Sequence, residues 1–172
     1  MWRKLRSLGA LYVQQSVCLL PARRDVVKEV RRLTDRIRHQ GGAVRVLSMA
    51  FTDPAEEQAV IAEFNEARDA EYAEVLERLP ELRQELADEQ SRGNATYAEV
   101  EESEADLERF RTWLAKIAAR DYFHAPGGEA ARAAVDQAAA ELAAFEEAAL
   151  AAQAPDPGPV ATGESPRLRV VD

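Results

Sequence analysis

The chain has 172 residues, a formal net charge of −9, 47% hydrophobic and 31% charged residues, and a single cysteine. A chain this long buries a real core in one domain or slightly more. It has no apolar run long enough to span a membrane, and Cys18 alone cannot form an internal disulfide, which fits a reducing compartment.

The charge is unevenly spread. Residues 1–50 carry eleven Lys/Arg against three Asp/Glu, or +8, while the remainder carries eleven against twenty-eight, or −17. This split points to a basic partner surface at one end, or to an acidic part that screens the basic part within the chain or across a dimer. The N-terminus starts basic, but Gln14, Gln15 and Ser16 interrupt the apolar run that a signal peptide needs. The expected location is the cytoplasm.

Trp2, Leu5 and Leu8 are spaced as one face of a short amphipathic helix, and Gly9 suits its C-terminus. Met1 falls inside that pattern. The stretch Gly9–Pro21 is the clearest strand signal in the chain, with Leu11, Val13, Val17 and Leu19 on one face. Its alternation falters at Gln15-Ser16, where a bend or bulge should give two short strand segments. A basic helix is expected from Ala22 to Gln40, with Val26, Val27, Val30, Leu33 and Ile37 on its stripe, and Gly41-Gly42 ends it. A second strand is expected over Ala43–Phe51.

After Phe51 the pattern turns wholly helical. Asp53 caps a helix with Pro54 at its first position. Its seam reads Val60, Phe64, Ala67, Glu71, Val75, Leu79, Leu82 and Leu86, and Pro80 should kink or split it before it ends near Arg92. Gly93-Asn94 is a turn. Thr96 and Glu99 form a capping box for a helix to about Arg120, with Val100, Leu107, Phe110, Leu114 and Ile117 inward. An Ala-rich helix spans Glu129–Gln153, with Val135, Leu142, Phe145 and Ala149 inward, and the Pro/Gly-rich residues 154–172 read as a disordered tail. The expected class is α+β, mostly helical: a small α/β unit (1–51), a helical bundle packed on it (53–153) and the tail.

Two charged groupings could bind a ligand. Arg23, Arg24, Lys28, Arg31, Arg32, Arg36 and Arg38 decorate one helix and could contact DNA phosphates or an acidic protein surface. No helix-turn-helix signature accompanies them, so sequence reading is not expected. A solvated face, or pairing with the acidic bundle, explains them equally simply. Arg68, Asp69, Glu71 and Tyr72 on one helix, and Arg120, Asp121, Tyr122 and Phe123 at the end of the next, place arginine and carboxylate beside apolar surface. They could form a structural ion network or bind a small oxyanion. Cys18, His39 and His124 lack metal-ligand spacing, Cys18 reads as a small core hydrophobe, and there is no catalytic triad or phosphate-binding glycine loop. No enzyme activity, cofactor or metal is expected.

Three blocks carry a resemblance: WRKLRSLGALYVQQSVCLLP (2–21), ARDAEYAEVLE (67–77) and WLAKIAARDYFHAPG (113–127). Together they resemble the N-terminal domain family of the chromate resistance protein ChrB, which usually carries glycine at the position of His124. The likeness spans roughly residues 1–150. It implies a regulator or accessory protein of chromate resistance with a ferredoxin-like unit, a non-enzymatic role, possible DNA contact and a homodimer built through the bundle. The family's fuller members carry a further C-terminal domain, and with the chain stopping at the tail the expectation is that it is absent here. Its ferredoxin-like unit also has a strand ahead of the first helix. With Met1 inside that helix, the expectation is a start upstream of Met1, or else the two strands pairing with each other or with a second chain, a weaker arrangement because two-stranded sheets are marginal. The acid at the end of that strand in related nucleases is absent too, which argues against metal-dependent nuclease chemistry.

Overall fold

The computed structural model describes residues 2–92 and 96–153. In chain order, helix α1 (Trp2–Ser7) leads into strands β1 (Leu11–Gln14) and β2 (Val17–Leu19), followed by helices α2 (Arg24–His39), α3 (Pro54–Arg92), α4 (Tyr97–Ala118) and α5 (Gly127–Gln153). The protein is mostly helical with one small antiparallel sheet. The Gly93-Asn94 turn and the tail fall outside the described residues.

The local signals that start and stop the helices act as expected. Gly9 ends α1 at φ 71°, its N–H donating to the Arg6 carbonyl while Ala10 N–H reaches back to Leu5. Asp53 caps α3, its Oδ1 accepting from Ala55 N–H at 2.8 Å, and Thr96 Oγ1 accepts from Glu99 N–H at the head of α4. Pro80, however, does not split α3, which runs unbroken for 39 residues. Pro80 is exposed, where water can take the carbonyl that its missing N–H leaves.

The N-terminal unit departs from the expected sheet. Gly9–Pro21 gives two short strand segments divided at Gln15-Ser16, as expected, but the division is a full reversal that makes a hairpin, pairing Leu11 with Leu19, Tyr12 with Cys18 and Gln14 with Val17. The register slips between Tyr12 and Gln14, so Val13 is the extra residue of a bulge. The expected strand over 43–51 does not form. That segment belongs to no ladder among the described residues, and Val46, Leu47 and Met49 are exposed. Alternating apolar residues make a stretch fit a sheet, but only a neighbouring strand makes it one.

Helices α3, α4 and α5 pack on one another around a single core. Tyr72, Val75, Leu79, Leu82 and Leu86 come from α3, Val100, Leu107, Leu114 and Ile117 from α4, and Val135, Leu142, Phe145 and Ala149 from α5. Ala131 and Ala138, both fully buried, let α5 approach its neighbours closely. On α3 the inward face departs from the expected seam over one turn: Arg68 and Tyr72 are buried, whereas Ala67 and Glu71 are only half-buried. This displacement creates the charged site described next. No described helix is long and apolar enough to cross a membrane.

Candidate functional site

Arg68 and Glu71 lie one turn apart on α3, and Arg120 follows the end of α4. Because α3 and α4 pack against each other, the Glu71 carboxylate lies between the two guanidiniums. Arg120 donates to Glu71 Oε2 through Nε at 3.1 Å and Nη2 at 2.7 Å, and Arg68 Nη2 lies 3.2 Å from Oε1. Arg120 Nη1 also donates to the Lys116 carbonyl at 3.0 Å. The third residue is the unusual one. Arg68 is 8% exposed, and its Nε and Nη1 donors are out of contact with solvent and have no acceptor. Burial pulls its guanidinium down from the ordinary value, Glu71 opposes that, and Arg120 adds to it.

A second, acidic layer flanks the arginines. Tyr72 donates to Asp121 Oδ2 at 3.1 Å, and Asp121 Oδ1 accepts from Ala125 N–H at 3.0 Å. Asp69 Oδ1 accepts from Gly127 N–H at 2.7 Å, which fixes the start of α5. Burial first, then the charge and hydrogen bond of Asp121, push the Tyr72 phenol up to about 12. The neutral phenol is therefore favoured in the folded state. Its contribution is fully present below the ordinary value of 10.0 and is lost as pH rises from there toward 12. A raised value of this size corresponds to about 2–3 kcal/mol. Denaturant titrations should show wild-type stability falling above pH 10 by roughly that amount more than in Tyr72→Phe, and parallel slopes for the two would refute the assignment.

The N-terminal unit closes over this site. Gly9 is buried against it: a β-carbon there would stand 2.8 Å from Arg68 Nη1 and 2.9 Å from Arg120 Cβ. Tyr122 donates to the Leu8 carbonyl at 2.7 Å, and the Arg23 guanidinium lies 5.4 Å from the centre of the Tyr122 ring. Sequence reasoning placed Arg68, Glu71, Tyr72, Arg120 and Asp121 in one neighbourhood, and the structure brings them together. It missed Gly9 as their cover, because a glycine at a helix end looks the same whether it faces solvent or a buried arginine.

The basic helix is a separate surface. Arg24, Lys28 and Arg31 follow the spacing of one helix face, and with Ala22, Val27, Arg32 and Asp35 they line an open groove of about 540 Å³. Arg32 pairs with Glu29, Arg23 with Asp25 and Arg38 with Asp35. Among the described residues, Arg24, Lys28, Arg31 and Arg36 have no carboxylate within 4.0 Å. All four are exposed.

His39 and His124 are exposed, and burial pushes the Cys18 thiol up. Among the described residues no three His, Cys, Asp or Glu side chains stand close enough to hold a metal ion. The arrangement is that of a mostly helical protein with a cationic helix and a covered, buried arginine. Residues 1–155 match the family of Protein ChrB, N-terminal, and the chain belongs to that family, which relates it to chromate resistance. No curated protein matches the chain, and no solved structure does.

Proposed function

We propose that this chain is a non-enzymatic regulatory protein of chromate resistance whose α2 helix contacts DNA phosphates. The observation that supports the reading is the row of exposed cations on α2, four of which have no carboxylate within 4.0 Å among the described residues. Such a row neutralises phosphates and releases counterions without reading bases, so affinity comes from charge and must fall with salt. Fluorescence anisotropy on duplex DNA over a salt series tests this. The variant R24A/K28A/R31A/R36A should bind more weakly, with a log K against log salt slope shallower by about three to four, one step of about 0.9 per lost phosphate contact. Binding that is absent, or indifferent to salt, removes the DNA reading.

A second reading rests on a different observation. Arg68 holds buried donors without acceptors beside Arg120, and its Nη1 could donate to an oxyanion such as chromate. The chain would then act as a small-oxyanion-binding accessory protein. Asp69 and Asp121 oppose added negative charge there, but each carboxylate already accepts a backbone N–H. Isothermal calorimetry with chromate and sulfate decides this reading, and no heat with either anion removes it.

A further inference from the structure

We infer that the segment Leu8–Ala10 is a lid on the Arg68 site, so that anion entry and undocking of the N-terminal unit are one event. The inference rests on the oxyanion reading and names how that site is regulated.

Buried donors without acceptors are costly, and a protein that keeps them has a reason to do so. Here the donors belong to a guanidinium that is nine-tenths buried, and the group over Nη1 is the backbone of Gly9. Gly9 brings no hydrogen-bond acceptor to Arg68 and no side chain to fill the space. A glycine in the left-handed region, at φ 71°, allows this close approach, since any β-carbon would meet Arg68 Nη1. The lid is held lightly. Among the described residues, its hydrogen bond to the bundle is the one from Tyr122, in the α4–α5 connection, to the Leu8 carbonyl, reinforced by Arg23 over the Tyr122 ring. No pairing of α1, β1, β2 or α2 with α3, α4 or α5 stands among the main packing contacts of the fold.

An anion bonding to Nη1 must occupy the space that Gly9 now closes. It would satisfy that donor and break the seal together. The same displacement moves α2, which carries Arg23 just ahead of it, so that an occupied site and an empty one present the basic helix differently relative to the bundle. Affinity observed for the closed protein is then the intrinsic affinity reduced by the fraction that is open.

The test uses the full chain with sulfate as the probe. Tyr122→Phe removes the bond to Leu8 but leaves Arg68, Glu71 and Arg120 in place. Calorimetry should show it binding sulfate about fivefold more tightly than wild type, the effect of removing one ordinary hydrogen bond from the closed state. Gly9→Ala, which forces the lid off by its β-carbon, should change affinity in the same direction. Two-dimensional NMR of the arginine side chains gives the independent readout. Without sulfate, the Arg68 Nη1–H signals should exchange with water about fivefold faster in Tyr122→Phe, and sulfate should shift those signals in both proteins. If sulfate shifts the Arg68 signal with equal affinity in wild type and both variants, the lid is refuted while the oxyanion reading stands. If sulfate binds without moving the Arg68 signal, or binds none of the three proteins, both fall.

Discussion

Glu71→Ala is expected to destabilise the fold by about 3 kcal/mol, the lower end of the cost of leaving buried charge unpaired. Glu71 is the shared acceptor of Arg68 and Arg120 and lies between α3 and the end of α4. Without it two guanidiniums face each other, and one of them is nearly sealed from water. Partial exposure of Glu71 and Arg120, at 28% and 19% of their side chains, lets water soften the loss and keeps the figure from the upper end. Urea unfolding of Glu71→Ala, Arg120→Ala and the double variant measures the term. The double variant should cost clearly less than the two singles added together, with a coupling of about 1–3 kcal/mol. Additive costs would mean that the cluster holds nothing together. The triple change Arg68→Met, Glu71→Leu, Arg120→Met should come out near neutral, since apolar groups of similar size need no partners.

Phe145→Ala should cost about 3–5 kcal/mol, the range for emptying a buried aromatic site. Phe145 is 1% exposed in the core common to α3, α4 and α5, so its loss opens a cavity where the three helices meet. Val13, exposed on β1, is the matched control, and Val13→Ala should stay within about 0.5 kcal/mol of wild type. If the two variants unfold at the same denaturant concentration, the core is not where the burial pattern puts it.

The stripes of α4 and α5 could be read from sequence because their apolar residues repeat without competition: Leu107, Leu114, Ile117, Val135, Leu142 and Phe145 are all buried as the spacing requires. On α3 the same arithmetic admits two answers after Phe64. Steps of three and four reach Val75 through Ala67 and Glu71 or through Arg68 and Tyr72. Hydropathy favours alanine over arginine at the first step. What reverses the choice is tertiary: Glu71 must reach Arg120, and Tyr72 must reach Asp121, each 49 residues away. The two segments of the sheet were legible, but their pairing with each other was not, for a similar reason. Gln15-Ser16 is not among the residue pairs that announce a two-residue hairpin turn, so a reversal looked like a bend. Residues 43–51 carry the period of a strand, but whether such a segment is paired depends on residues far from it. The charge on α2 was plain in the sequence. Which of its cations are left over after local pairing was not, because that depends on side-chain reach toward Glu29, Asp25 and Asp35.

The unpaired stretch after α2 also bears on how the protein survives at working concentration. Residues 43–51 read AVRVLSMAF, and Leu47, Met49 and Val46 face solvent at 85%, 60% and 55% exposure. A short β-prone run with its backbone unengaged is what seeds stacking of chains into aggregates. Arg45 is the single charge within it. Among the described residues it makes no ion pair in the fold. Its part is that of a gatekeeper: identical chains stacking in register would bring like charges together at every layer. A residue with no ion pair among the described residues thus matters to solubility, a property that no inspection of one folded copy would reveal.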